Sequence, residues 1–178
     1  MDTPLIIAIG RYITLNDDQK GKFNDAFKNI KIKKGECWIK AGDYCHQIAF
    51  IQKGKFRFFH LDDDQNEITC YFGRENDFIS ALTSFIEEKP SREFIEALED
   101  SELLVISRNK LEALTLAMPS IQYLRRVIAE QQYLIAEQRI EMLQSKTAQQ
   151  RYLLMMANNP EFSVTIYCIL FGNKPTTS

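Results

Sequence analysis

The sequence predicts a mainly β domain with added helices: a double-stranded β-helix, or jelly-roll barrel, followed by a long helix. Short β-prone runs alternate with turn residues between Ile30 and Ser107 at intervals of roughly 8–12 residues, a pattern typical of antiparallel sandwiches and barrels. The stretch after Pro119 is rich in Ala, Glu, Gln and Leu and contains no Gly or Pro before Pro160, which favours a helix. A chain of 178 residues accommodates about one domain with a small addition.

Residues 1–30 are predicted to be a helical segment that precedes the barrel. Thr14 or Asn16 can cap a short helix that extends through Phe27. The apolar residues on one face of this helix are Phe23, Ala26, Phe27 and Ile30.

Residues 31–118 are assigned to the barrel and to a short helix that closes it. Tight turns at Gly35, Gly42 and Gly54 separate several strands, and a positive φ at such positions is favourable only for glycine. The closing helix is predicted from Asn109 to Met118 and ends before Pro119. The eight predicted strands are Ile30–Ile32, Cys37–Ile39, Gln47–Gln52, Phe56–His60, Ile68–Phe72, Phe78–Ile79, Phe94–Leu98 and Leu103–Ser107.

Residues 119–160 are predicted to contain a dimerisation helix, from Ile121 to about Gln144, and a short helix after it. A helix of ~24 residues is ~36 Å long and overhangs a barrel of this size, which favours a two-helix homodimer. The alternative is a helix that packs on its own barrel. The apolar series recurs every seven residues, but most intermediate positions are polar, so only half of a coiled-coil seam is present. The predicted dimer contacts are Ile121, Leu124, Ile128, Ile135 and Met142.

Composition and charge exclude several classes of function. The net charge of −2 gives no bulk attraction to nucleic acid, and residues 61–105 carry 3 Lys/Arg against 13 Asp/Glu, which disfavours anion binding there. The four cysteines form no CxxC pair and only two histidines occur, which supports neither a zinc nor an iron–sulfur site. We therefore predict no catalytic residue, no metal ligand and no cofactor. Scattered cysteines without a secretion signal, and the lack of an apolar run of ~20 residues, predict a cytoplasmic chain with no membrane segment.

An ordered set of turn motifs resembles a known fold. Lys34-Gly35-Glu36, Gly42-Asp43, Phe50-Ile51-Gln52-Lys53-Gly54-Lys55-Phe56-Arg57 and Asn76-Asp77-Phe78-Ile79 stand in the order and spacing of the cyclic nucleotide-binding fold. The long helix that follows resembles that of the Crp/Fnr family of bacterial transcription regulators. The similarity covers about residues 10–160. It implies a barrel that senses a small-molecule effector, a homodimer formed through the helix, and a role in transcription regulation.

The resemblance also implies where a ligand would bind. In the family, a short helix presents backbone N–H groups to the cyclic phosphate, and a Gly-Glu pair and an Arg-Ser pair complete the cassette. Ser80 and Ala81 stand at the Gly-Glu positions, while Ser91 and Arg92 invert the Arg-Ser pair. Cyclic AMP binding is therefore not expected; a different small effector, or a barrel that binds nothing, remain the alternatives. The implied ligand-binding residues are Phe78, Ile79, Ser80, Ala81, Leu82, Ser91 and Arg92.

The end of the chain departs from the family. Crp/Fnr regulators carry a winged helix-turn-helix of roughly 60 residues after the dimer helix. Residues 161–178 contain one Lys and no Arg, so they are expected to be an aberrant tail in place of a DNA-binding domain, and a frameshift is one explanation. Two other functions remain open: a non-regulatory small-ligand-binding barrel, and a cupin-like metal enzyme that would use His46 and His60.

Overall fold

The structure, a computed structural model, describes residues 2–158 and Phe162. The chain divides into two compact units, residues 1–127 and residues 128–178. The four-part division drawn from the sequence stays a prediction, and its last part, 161–178, lies outside the described residues apart from Phe162. No helix in the described ranges is long and apolar enough to cross a membrane.

Two short helices precede the barrel, α1 (Pro4–Ile9) and α2 (Asp17–Ala26). Asn16, one of the two predicted caps, begins α2 with a reciprocal capping box: its side chain accepts a hydrogen bond from the Gln19 N–H at 2.9 Å, and the Gln19 side chain accepts one from the Asn16 N–H. The helix ends at Ala26 and a strand begins two residues later, so residues 28–30 are extended rather than helical.

The barrel consists of two antiparallel four-stranded sheets, which confirms the predicted jelly-roll architecture. The strand orders are β1-β8-β3-β6 and β2-β7-β4-β5. All eight predicted strands occur; β2 and β6 have the predicted bounds, and the ends of the others differ by one or two residues. Their bounds are β1 (Lys28–Ile32), β2 (Cys37–Ile39), β3 (Gln47–Lys53), β4 (Phe56–Leu61), β5 (Glu67–Gly73), β6 (Phe78–Ile79), β7 (Phe94–Ala97) and β8 (Ser101–Ser107).

The core lies between the two sheets, where alternate residues of each strand point inward. In the second sheet, Phe58 lies opposite Tyr71 of β5 and Ile95 of β7, and Phe58 and Ile95 are both buried. A Cβ atom added to Gly73 would lie 3.0 Å from Cδ1 of Ile51 in the other sheet. The missing side chain at this position therefore lets the two sheets approach closely.

Four helices follow or interrupt the strands: α3 (Leu82–Glu87), α4 (Arg108–Ala117), α5 (Pro119–Ser145) and α6 (Ala148–Asn158). The Ser107 hydroxyl caps α4 by accepting a hydrogen bond from the Lys110 N–H. Proline is tolerated in the first turn of α5 because no intrahelical hydrogen bond is lost there. The 27 residues of α5 confirm the long helix that the sequence predicts.

Candidate functional site

The segment from β6 to the first residue of α3 contains five of the predicted ligand-binding residues. Phe78 and Ile79 form β6; Ile79 is buried, and the Phe78 ring is 5.2 Å from that of Phe50. Ser80 is half-buried and its hydroxyl donates a hydrogen bond to the backbone carbonyl of Gln47 at 3.0 Å. The segment thus continues the barrel wall, and its serine hydroxyl is directed to the protein backbone.

Helix α3 begins without a side-chain cap. Ala81 occupies the N-cap position and is 1% exposed, and its methyl group supplies neither a hydrogen-bond acceptor nor a charge. Leu82, the first helical residue, is exposed, as is Ile86 one turn later. The helix ends at Glu87, and the C-cap residue Glu88 has a left-handed φ of 55° and donates its N–H to the carbonyl of Ser84.

Ser84 fastens α3 to the loop before β3. Its hydroxyl, which is buried, accepts a hydrogen bond from the N–H of Cys45 at 2.9 Å and donates one to the carbonyl of Lys89. Cys45 is itself 1% exposed. Because one partner lies in the loop before β3 and the other follows the end of α3, Ser84 fixes both the position of α3 and the turn that follows it.

Ser91 and Arg92 lie next to each other but in different surroundings. Ser91 is buried: its hydroxyl bonds to the backbone N–H and carbonyl of Glu93, and its own backbone pairs with Gly42 and Asp43. Arg92 is exposed. Ser91 is therefore a structural residue that joins two loops, and the guanidinium of its neighbour lies at the surface.

Sequence reasoning missed Arg108, the first residue of α4. Its guanidinium carbon lies 4.5 Å from the centre of the Phe85 ring of α3, and its Nη1 is 3.1 Å from a carboxylate oxygen of Glu88. The Nε and Nη2 atoms are buried and have no hydrogen-bond partner. Arg108 thus connects α4 to both ends of the last turn of α3. No spacing in the sequence indicates this contact, because α3 and α4 are separated by two strands.

The inward face beside this segment is aromatic. The rings of Phe58 and Tyr71 meet edge to face with centroids 5.4 Å apart. Partial burial, with a smaller contribution from the negative charge of Asp77, raises the pKa of the Tyr71 phenol, which is therefore neutral at pH 7.

The opposite face of the same sheet carries a buried ion pair. Arg57 is 7% exposed, and its guanidinium contacts the carboxylates of Glu96 at 2.6 Å and Glu67 at 2.7 Å. It also lies 4.2 Å from the centre of the Phe59 ring. Burial, and to a smaller extent the charge of Glu96, raises the pKa of the Cys37 thiol on the adjacent strand. Three strands are joined by these contacts on the outside of the barrel.

The two histidines do not converge. The His46 ring stacks on Tyr44 with centroids 6.1 Å apart, and His60 lies within hydrogen-bond distance of Cys70. In the part of the chain that the structure describes, no group of three His, Cys, Asp or Glu residues could hold a metal ion.

The five predicted dimer residues on α5 differ in exposure. Ile121 and Leu124 are buried by the first unit of the chain itself, at 0% and 3% exposure. Ile128 and Met142 are half-buried, and Ile135 is 44% exposed. A dimer contact along α5 therefore depends on the residues from Ile128 onward.

The family of the chain follows from its similarity to known proteins. The family model of the cyclic nucleotide-binding domain matches residues 29–117, which is half of the chain and includes every strand except the first residue of β1. The chain belongs to the cyclic nucleotide-binding domain family.

One curated bacterial protein matches part of the chain. The "Anaerobic regulatory protein" of Bacillus subtilis is 32% identical over 82 residues, a match that spans 46% of this chain and 34% of that protein. The chain thus matches about a third of the length of this curated relative.

Two solved structures show the same fold. The Catabolite Activator Protein of Thermus thermophilus has a TM-score of 0.65 at 19% identity, with 80% of this chain and 63% of that one covered. A protein of Eubacterium rectale assigned to the Crp/Fnr family has a TM-score of 0.66 at 21% identity, with 85% and 69% covered. The predicted resemblance is therefore confirmed for the cyclic nucleotide-binding fold and for the cyclic nucleotide-binding domain family.

Proposed function

We propose that the chain is the effector-sensing and dimerisation part of a Crp/Fnr-like transcription regulator, and that its effector is not cyclic AMP. The observation that carries the second statement is the chemistry of the segment around α3. Ala81 presents only a buried methyl group where the family has a carboxylate, Ser91 is engaged by the backbone, and Arg92 is at the surface. The fold is retained, but the two charged groups that the family uses for a cyclic nucleotide are missing from their positions.

Ligand-induced stabilisation tests this proposal. A ligand at 100 times its dissociation constant stabilises a folded protein by about 2.7 kcal/mol. We expect neither cyclic AMP nor cyclic GMP at millimolar concentration to raise the Tm of the 178-residue chain. A Ser80→Gly/Ala81→Glu/Ser91→Arg/Arg92→Ser variant, which restores the family's Gly-Glu and Arg-Ser pairs, provides the matched control. A clear rise in the Tm of the unsubstituted chain with cyclic AMP would show that the proposal is wrong.

The second part of the proposal is that α5 pairs with the same helix of a second copy. The apolar side chains of α5 beyond Leu124 are expected to be covered by another surface, because large apolar side chains are rarely left exposed along a whole helix. One apolar row repeats every seven residues at Ile128, Ile135 and Met142. In a second row, apolar residues are spaced alternately four and three positions apart, which is the full pattern of a coiled-coil seam. The members of this second row are Ala129, Tyr133, Ala136, Ile140 and Leu143.

We assign the seam to the second row, because its large members Tyr133, Ile140 and Leu143 are 62%, 54% and 56% exposed. Sedimentation of the chain at several concentrations tests this assignment. Ile140→Lys should weaken the dimer about tenfold or more, since it places a charge in the seam, whereas Ile135→Lys and the exposed control Glu141→Lys should not. A chain that stays monomeric at about 100 µM contradicts the pairing, and a dimer broken only by Ile135→Lys assigns it to the first row.

The expectation that this chain does not bind DNA rests on residues 161–178, which lie outside the described residues apart from Phe162. It stays a prediction, and a fluorescence-anisotropy titration of the chain against duplex DNA tests it. The predicted cytoplasmic location likewise stays a prediction.

A further inference from the structure

The hairpin formed by β4 and β5 contains a shift in strand register that changes the direction of a cysteine side chain. Phe58 pairs with Tyr71 whereas the next residue, Phe59, pairs with Thr69, so Cys70 is the extra residue of a β-bulge. A bulge directs a side chain away from the regular alternation of its strand. Here it brings the Cys70 thiol to the side chain of a residue on the facing strand.

That residue is His60. Its Nδ1 atom is 3.0 Å from Sγ of Cys70, which is well within hydrogen-bond distance for a sulfur atom. The backbone carbonyl of Ile68, at 3.4 Å from the same Sγ, is a second and longer polar contact. Both Cys70 and His60 are half-buried, so small molecules in solution can reach the pair.

A carboxylate lies near the histidine. Hydrogen bonds from Asn66 are the largest cause of the lowered pKa of Asp62, and the charge of His60 contributes to the same shift. Asp62 is therefore ionised at neutral pH, and its negative charge lies near the His60 ring. An imidazole nitrogen 3.0 Å from Sγ is placed to take the thiol proton, and the imidazolium formed in that transfer stabilises the thiolate by a charge-assisted hydrogen bond.

We propose that Cys70 is a thiol-modification site at which His60 activates the nucleophile and small hydroperoxides are the substrates. This inference does not depend on the effector or the dimer proposed above. A thiolate hydrogen-bonded to a histidine is the arrangement by which proteins raise the nucleophilicity of cysteine. Half-burial leaves the sulfur accessible to a small peroxide.

The reaction balances with the peroxide as the oxidant. His60 takes the thiol proton, and the thiolate of Cys70 attacks one oxygen of the hydroperoxide; a sulfur–oxygen bond forms while the oxygen–oxygen bond breaks. The sulfur is oxidised by two electrons to a sulfenic acid, and the peroxide is reduced to an alkoxide that takes the proton from the imidazolium and leaves as an alcohol. A low-molecular-weight thiol can then condense with the sulfenic acid, releasing water and forming a mixed disulfide.

The other described cysteines lack this arrangement. Cys37 is half-buried like Cys70, but burial and the nearby charge of Glu96 raise the pKa of its thiol. Cys45 is 1% exposed and its Sγ contacts only uncharged oxygen atoms, the carbonyl of Gln47 and the hydroxyl of Ser80. Cys37 is therefore a matched internal control for accessibility.

The rate of alkylation at each cysteine, measured on separate peptides, tests the proposal. The 178-residue chain is treated with iodoacetamide at about pH 6.5, and the rate at each cysteine is followed by mass spectrometry. We expect Cys70 to react at least about tenfold faster than Cys37, and His60→Gln to remove most of that advantage without changing the rate at Cys37. Equal rates at the two cysteines, or an undiminished rate at Cys70 in His60→Gln with an unchanged Tm, would overturn the proposal.

A second measurement addresses the peroxide itself. After treatment with tert-butyl hydroperoxide, dimedone should label Cys70 and not Cys37, and His60→Gln should lower the labelling about tenfold. If His60→Gln fails to fold, Asp62→Asn provides the alternative, with a smaller loss of rate at Cys70. Labelling of Cys37 to the same extent as Cys70, or no labelling of Cys70, contradicts a peroxide-reactive site.

Discussion

Replacing Ser84 by alanine tests how α3 is held on the barrel. The substitution removes one oxygen atom that has two partners, the N–H of Cys45 and the carbonyl of Lys89. A buried donor left unsatisfied costs about 1–3 kcal/mol. Cys45 is buried, so its N–H incurs this cost, whereas Lys89 is exposed and its carbonyl can bond to water. We therefore expect the free energy of unfolding to fall by about 2 kcal/mol.

Urea unfolding measures this change. With a slope of about 1–3 kcal/mol per molar urea, a loss of about 2 kcal/mol moves the midpoint by roughly 1 M. Thr83→Ala, one residue earlier on the same helix and exposed, is the matched control and should change the stability by less than about 0.5 kcal/mol. Hydrogen exchange adds a local measurement, because the Cys45 amide should exchange faster in Ser84→Ala. A midpoint that does not move, together with unchanged exchange at Cys45, would refute the role assigned to this hydroxyl.

Three further changes have expected outcomes in thermal or urea unfolding. Gly54→Ala should destabilise the fold by about 2 kcal/mol or more, since φ is +104° there and a Cβ atom would collide with β8; an unchanged Tm contradicts this. Arg57→Met should lower the free energy of unfolding by about 2–4 kcal/mol, because it leaves Glu96 without its partner. Adding Glu96→Gln should recover much of this loss, and a double variant no more stable than Arg57→Met contradicts the prediction. The pKa of Asp100 is lowered chiefly by a hydrogen bond from the Lys34 N–H. The ionised carboxylate therefore stabilises the folded state above the unfolded pKa of about 3.9, and this stabilisation is lost as the pH falls through the lower pKa of the folded state. Asp100→Asn should therefore flatten the acid limb of the stability curve, and an identical limb would contradict that reasoning.

Local features of the sequence predicted the barrel well. Strand positions follow from alternating β-prone runs between turn residues, and the positive φ values at Gly35, Gly42 and Gly54 follow from turns that only glycine enters easily. The cap at Asn16 is equally local, because a side chain and the N–H three residues later decide it. The short helix Pro4–Ile9 was not predicted, since its apolar residues show no clear period over so few positions.

The candidate site was only partly accessible from the sequence. The segment around Ser80 and Ala81 was located by resemblance, and the replacement of its charged residues was visible there. The role of Ser84 was not, because its partner Cys45 lies 39 residues away. The role of Arg108 was not visible either, because its contact with Phe85 joins the first residue of α4 to α3, and two strands separate these helices in the sequence.

All eight strands and most of the helices follow from local signals, because hydrophobic period, caps and turn residues act over a few neighbouring positions. Contacts between side chains that are distant in the sequence depend instead on how the strands and helices pack. The pairing of His60 with Cys70 depends on a one-residue bulge, and a shift of one position in a strand moves a side chain to the other face of the sheet. The burial of Ile121 and Leu124 by their own unit is decided in the same way, since a heptad pattern specifies an apolar face but not the surface that covers it.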